Sequence, residues 1–306
     1  MKSISACILL CCTALHLRAQ KVADTTYVKA FPQNFSATLF VARNSIDIDR
    51  NEKTYSPNNP VNLGAGISLK NTVVNLKYSL SIPSMAGKGQ GKGQGKTESR
   101  NFQLHNYRRY LVTDFFYQYY KGFYEGDKNI NLYPNLMVTQ TGLQVTYIVK
   151  GNRFSAKAAF EQSEIQVKSA GSLVWGANVF YTKANSGEEQ WFNGNNITKN
   201  LQMGISAGYG YNKVIAEKWL LSGILTAGPN FGNSPDMLKK GHIKLYPALS
   251  FQASGGYHEK DWSVYASFII HTKNLTPTGQ TPTQLTSIST QLSLIRRLNL
   301  KWRNKA

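Results

Sequence analysis

Val74-Asn75-Leu76-Lys77-Tyr78-Ser79-Leu80-Ser81-Ile82 alternates apolar and polar residues without a break. Successive side chains of a β-strand point to opposite faces, so this stretch predicts a strand with one greasy and one wet face. The preceding stretch does the same: Val61, Leu63, Ala65, Ile67 and Leu69 alternate with Asn62, Gly64, Gly66, Ser68 and Lys70. Soluble sandwiches use strands of about five or six residues, whereas segments of about ten, tilted, match the hydrocarbon core of a bilayer.

The pattern recurs from Phe35 almost to the C-terminus. It predicts strands over residues 35–48, 61–69, 74–82, 137–149, 154–164, 171–183, 201–211, 219–228, 243–257, 262–272 and 285–295, with an aromatic-rich stretch at 102–124. The expected fold is all-β: an antiparallel up-and-down transmembrane β-barrel of about twelve strands, ten or fourteen being the alternatives. The connectors 184–200, 230–242 and 273–283 are long, and 212–218 and 258–261 are short. Such alternation fits barrels with short periplasmic turns and longer outer loops. Only residues 150–153 break it, a short turn where strict counting wants an outer loop. Gly204, Gly208 and Gly210 fall on the wet face of one strand, where glycine lets a sheet coil and close.

The N-terminus carries Lys2, an apolar run from Ile4 to Leu17, and Ala19 before a predicted cut, the pattern of a secretory signal. The expected division is a signal peptide at 1–19, an N-terminal periplasmic segment at 20–34 and a barrel at 35–302, located in the cell outer membrane. All three cysteines, Cys7, Cys11 and Cys12, lie in the signal. Disulfides, thiolate metal sites and cysteine nucleophiles are thereby excluded from the exported chain. The formal charge of +19 falls to +17 without Lys2 and Arg18. Scattered cations with no recognition helix or zinc-finger spacing argue against nucleic acid and leave lipid phosphates and acidic polysaccharide as polyanions to meet.

Chemistry is sparse. His105, His242, His258 and His271 stand alone, with no metal-ligand spacing, and no phosphate loop, dinucleotide fingerprint or catalytic constellation is visible. Neither an enzyme nor a cofactor is expected. With residues 154–164 read as a strand, Phe154, Ala156, Ala158 and Phe160 face lipid, and Lys157 and Glu161 face the lumen. Lys77, Asp114 and Gln118 are expected to join them in a polar lumen network. Such a network is either a charge-selective constriction or, the reading preferred for a twelve-strand barrel, a salt-bridged plug. Residues 83–99 are glycine-rich, repeat Gly-Lys-Gly-Gln and predict an outer loop in which Lys88, Lys92, Lys96 and Arg100 contact anionic lipid or lipopolysaccharide.

Phe154-Ser155-Ala156-Lys157-Ala158-Ala159-Phe160, Lys168-Ser169-Ala170-Gly171-Ser172, Gln118-Tyr119-Tyr120-Lys121-Gly122-Phe123-Tyr124 and Gly208-Tyr209-Gly210-Tyr211 together resemble a family of outer-membrane barrels from Bacteroidota. That family is catalogued only as a domain of unknown function, forty-four twenty-one. The resemblance implies an exported barrel and carries over no catalytic residue. Many barrels end on an aromatic read by the assembly machinery, an expected partner; here Trp302 is followed by four further residues. Three functions are expected, in descending order: a structural or passive-channel barrel, a surface protein binding anionic glycans through basic loops, and a membrane-embedded enzyme.

Overall fold

The computed structural model describes residues 23–58, 61–69, 72–74, 80–81, 96–126, 130–192, 194–233, 244–275 and 282–299. The signal segment, Lys77, Lys88, Lys92 and Trp302 lie outside the described residues. The strands are β1 (Val28–Ala30), β2 (Phe35–Arg50), β3 (Lys53–Ser56), β4 (Asn62–Leu69), β5 (Thr72–Val74), β6 (Leu80–Ser81), β7 (Glu98–Tyr107), β8 (Leu111–Glu125), β9 (Asn131–Ile148), β10 (Glu164–Gln166), β11 (Ala170–Asn185), β12 (Ile197–Ile215), β13 (Trp219–Asn233), β14 (Lys244–His258), β15 (Trp262–Asn274) and β16 (Thr283–Leu298). One short helix, α1 (Ala156–Phe160), separates β9 from β10.

Fourteen strands form one antiparallel sheet, and ten of them close a ring in the order β2-β3-β8-β9-β11-β12-β13-β14-β15-β16-β2. Closure is made by β16, which pairs with β2 from Thr283↔Arg50 to Leu298↔Phe35. The four-residue β3 bridges β2 and β8 at one end, through Ile48↔Tyr55 and Ser56↔Tyr124. Toward the other end β2 pairs with β4, and β8 pairs with β7. Among the described residues the closed ring thus has ten strands, one of the expected numbers, while residues 75–79 and 82–95, which include most of the expected strand 74–82, lie outside the described residues. The aromatic stretch 102–124 resolves into the β7–β8 hairpin, its turn held by the Arg108 amide donating to the Leu111 carbonyl at 2.8 Å.

Side-chain orientation follows the sequence alternation. On β12, Asn200, Gln202 and Asn212 are buried inward, while Leu201, Met203, Ile205, Ala207, Tyr209 and Tyr211 face out; Ile205 is 62% exposed. Leu201 to Tyr211 covers about 34 Å at a rise of ~3.4 Å per residue, which a tilt near 40° converts to a band roughly 26 Å high. That is the apolar height of a transmembrane barrel. Aromatic side chains rim the short-turn end: Trp219 lies 5.0 Å from Tyr257, and Tyr257 lies 5.4 Å from Trp262. Amphipathic rings at this level fit the membrane–water boundary.

Among the described residues one strand expectation fails. Residues 154–164 cross no membrane; they form α1 and β10, and Phe154, Ala156, Ala158 and Phe160 are buried inside the barrel instead of facing lipid. The physical reason is local. Ser155 caps the helix by accepting from the Ala158 amide at 3.1 Å, and the alanines that follow favour helix. This removes the break in connector alternation, because the whole stretch from β9 to β11 is one long turn-end connection folded inward.

The inside-out arrangement yields a first test. Ile205→Arg places a cation in mid-band and is expected to cost about 2–4 kcal/mol in urea unfolding from lipid vesicles, whereas Ile205→Leu leaves stability nearly unchanged. Equal midpoints for the two variants would mean that Ile205 does not face hydrocarbon.

Candidate functional site: the barrel lumen

The lumen is filled in three levels. At the turn end, residues 150–169 and the N-terminal segment form a base. β1 and β10 pair as a separate two-stranded sheet, from Val28↔Gln166 to Ala30↔Glu164. Gln166 is the hub of this base: its side-chain oxygen accepts from the Ser155 amide at 3.0 Å and from Asn212 Nδ2 at 2.9 Å, and its amide group donates to the carbonyls of Arg153 (2.6 Å) and Lys168 (2.9 Å). Arg109 grips Glu164 with two hydrogen bonds of 3.0 and 2.8 Å, the paired geometry that makes guanidinium–carboxylate contacts directional.

The wall holds the other side of the base. Arg297 on β16 donates to the Gln162 carbonyl at 2.6 Å and to Ser263 Oγ at 2.7 Å, and its guanidinium stacks on Phe31, 3.4 Å from the ring centre. Ser254 Oγ donates to the Ala159 carbonyl at 2.6 Å. Phe154 is fully buried, and a Cβ at Gly210 would stand 2.9 Å from its ring. Gly210, which is wall lining by its sequence position, thus leaves the space into which the base inserts an aromatic anchor.

Above the base lies a small polar chamber of about 60 Å³, bordered by Glu161, His105, Tyr107, Tyr265, Gln103 and Gln291. His105 Nδ1 is 2.6 Å from Asp114 Oδ1. Glu161, the residue that caps the C-terminal end of α1, brings a carboxyl group to this chamber, and its Oε1 has no hydrogen-bond partner among the described residues. Farther along, Lys273 is buried between Phe180 and Phe116, its ammonium 3.3 and 4.9 Å from the ring centres. Gly142 makes room for both rings, since a Cβ there would stand about 2.5 Å from each. Cation–π contacts of this kind gain strength when desolvated.

The loop end is closed differently. Ile46, Ile48, Tyr120, Phe123, Leu136, Val138 and Leu285 meet inside the barrel, and Tyr55, Trp191 and Phe192 cover them. Tyr55 packs 4.9 Å from Tyr133 and 4.7 Å from Trp191, and Arg50 lies over the Trp191 ring at 5.8 Å. The Trp191 indole donates to the Glu189 carboxylate, which fixes the covering loop. Polar groups border the cluster, as where Asn101 Nδ2 donates to the Tyr120 hydroxyl at 2.9 Å and Asn200 to the Leu275 carbonyl at 3.0 Å, but its members among the described residues are apolar and aromatic.

The expected lumen residues divide accordingly. Asp114 and Gln118 point inward from β8, and Glu161 reaches the lumen from the end of α1. Lys157 lies in α1 and Glu161 caps its C-terminal end, so the pair expected on one strand face is carried by the inserted helix and its cap. Of the expected loop cations, Lys96 is exposed beside β7, and Arg100 is in β7 itself, ion-paired to Glu98 at 2.9 Å and over the Tyr119 ring at 5.7 Å. Gln166, Arg297 and Lys273 escaped the sequence reading, since isolated Gln, Arg and Lys residues carry no spacing signal. Among the described residues no cluster of three or more His, Cys, Asp or Glu could hold a metal.

The family model described as Domain of unknown function (DUF4421) matches residues 22–297. No curated protein matches the chain. Among solved structures the chain is similar to a bacterial polysaccharide outer membrane secretin, at 9% identity over 86% of this chain and 98% of that one, with a TM-score of 0.38. It is similar also to a Pseudomonas aeruginosa FadL homologue (9% identity, 86% and 90% covered, TM-score 0.28) and to the P. putida toluene transporter TodX (8% identity, 89% and 92% covered, TM-score 0.26).

The hub role of Gln166 predicts that Gln166→Ala, which removes the acceptor of the buried Ser155 amide and leaves Asn212 Nδ2 with the Ser155 carbonyl alone, costs about 1–3 kcal/mol for each buried group left unsatisfied. Limited proteolysis should then cut within residues 150–169 while the wall strands stay intact. Cleavage no faster than in the wild type would contradict the hub.

Proposed function

The chain belongs to the DUF4421 family, which supplies no activity, and from the lumen we propose that it is a closed outer-membrane barrel with a structural, scaffolding role rather than an open passage for solutes. The observation that carries this reading is the double obstruction among the described residues: a hydrogen-bonded base at the turn end and an apolar aromatic cluster at the loop end. A conducting pore needs a continuous polar path, and among the described residues the loop-end cluster stands across it. The turns 108–110, 216–218 and 259–261 share one end with the N-terminal segment, which supports reading that end as periplasmic and the end with the longer loops as outer. Delivery there calls on an export signal and the barrel assembly machinery.

The passive-channel reading is kept as the second one, because the chamber between the seals is lined by Ser36, Thr38, Gln103, Glu161, Ser289 and Gln291 and would wet readily. Conduction by that route requires both seals to open.

Planar-bilayer recordings separate the two. The closed-barrel reading expects no discrete conductance steps from wild-type protein, none after Gln166→Ala/Phe154→Ala loosens the base, and steps when Trp191→Ala/Phe192→Ala is combined with that pair. Steady conductance from the wild type would reject the closed barrel in favour of the channel.

A further inference from the structure

Two lysines far apart in sequence are brought face to face on the outside of the wall. Lys183 of β11 and Lys199 of β12 are direct cross-strand partners. Both point outward, since Thr182 and Asn200, their chain neighbours, are buried in the lumen. Side chains opposite each other in this way have Cβ atoms about 5 Å apart, and like charges so placed repel. Among the described residues neither lysine makes an ion pair. Glu189 of the adjoining loop is turned to Trp191, over the lumen.

The surroundings indicate which anion this pair of cations suits. Across the other edge of β11, Lys183 pairs with Thr139 of β9, an outward hydroxyl in the same row. Two register pairs nearer the turn end, and next on the outer face, stand Tyr181 and Leu201, where the unbroken outward apolar run of these two strands ends; Ile197 lies beyond the lysines. Two ammonium groups and a hydroxyl therefore lie just above an apolar, aromatic surface, at the level where hydrocarbon gives way to headgroups. We propose that Lys183 and Lys199, with Thr139, form a lateral site for a phosphate group of a membrane lipid, whose first acyl methylenes rest on Tyr181 and Leu201. The lipid is of the lipid A class, because the loop end carries the site and that end is read as the outer one. A bound phosphate converts the repulsion into two attractions, screened by salt as surface charges are.

Native mass spectrometry of protein released from nonionic micelles tests the site, with diphosphoryl lipid A and its dephosphorylated form as probes. Each cation near an anionic lipid contributes about fivefold in affinity, so Lys183→Ser and Lys199→Ser should each weaken retention about fivefold and the double variant roughly twenty-five-fold. Lys213→Ser, at the other end of β12, should leave retention unchanged, and Lys183→Arg/Lys199→Arg should keep it. Heat-dependent gel migration checks that each variant folds, and should a serine variant fail to fold, Lys183→Gln/Lys199→Gln takes its place with the same expected loss. Diphosphoryl lipid A should raise the melting temperature of the wild type and not that of the double serine variant. Equal retention of the dephosphorylated lipid, unchanged retention by the double variant, or displacement by millimolar inorganic phosphate alone would overturn the lipid site. These measurements do not involve conductance, so their failure leaves the closed-barrel reading standing.

Discussion

Backbone hydrogen bonding in a solvent that offers none is the constraint on which the rest of this molecule depends. A strand in hydrocarbon must have its peptide groups paired on both sides, and a sheet meets that demand when its first and last members join. Here the joining pair is β16 and β2, held over sixteen residues on each strand. The period-2 alternation follows from the same constraint, because a closed wall has one face for lipid and one for the interior. The exterior of this barrel is accordingly its most apolar surface, and its interior holds Gln118, Gln140, Asn200, Gln202 and Asn230.

A ten-strand ring is too wide for its own inward side chains to meet everywhere and too narrow to leave a broad channel. The two ends solve this in different ways. At the loop end, inward Ile and Val residues with aromatic rings from neighbouring strands and loops close the gap by ordinary apolar packing. At the turn end, a stretch of chain is folded in, and its carbonyls and amides, which could not stay bare in a buried setting, are paired with Gln166, Asn212, Ser254 and Arg297 from several parts of the fold. Buried polar groups of this kind cost free energy when one member is removed, so the base behaves as a unit.

Between these seals, the ionisable side chains among the described residues differ in how they are held. Lys273 is held by aromatic faces, and His105 by a carboxylate. Glu161 is brought by the end of α1 to a chamber of hydroxyl and amide groups. On the outside the balance differs, since Lys183 and Lys199 oppose each other above the apolar band. The asymmetry of the protein therefore lies in its rims and its fillings, while the middle of the wall is nearly uniform.

Fold class was legible in the sequence because alternation is a local signal: Leu201 to Tyr211 reports its two faces without reference to any other strand. Strand direction and the distinction between turn end and loop end were legible as well, since connector lengths reflect them. The stretch 154–164 was not, because alternating Phe and Ala also place apolar residues at helical spacing, and a run this short does not distinguish the two periods. Its one local clue was Ser155 ahead of helix-favouring alanines. Which residues meet in the lumen, and that Lys183 stands opposite Lys199, were set by register between strands. Register is a relation between distant segments, fixed only when the sheet closes, and no single stretch of the chain contains it.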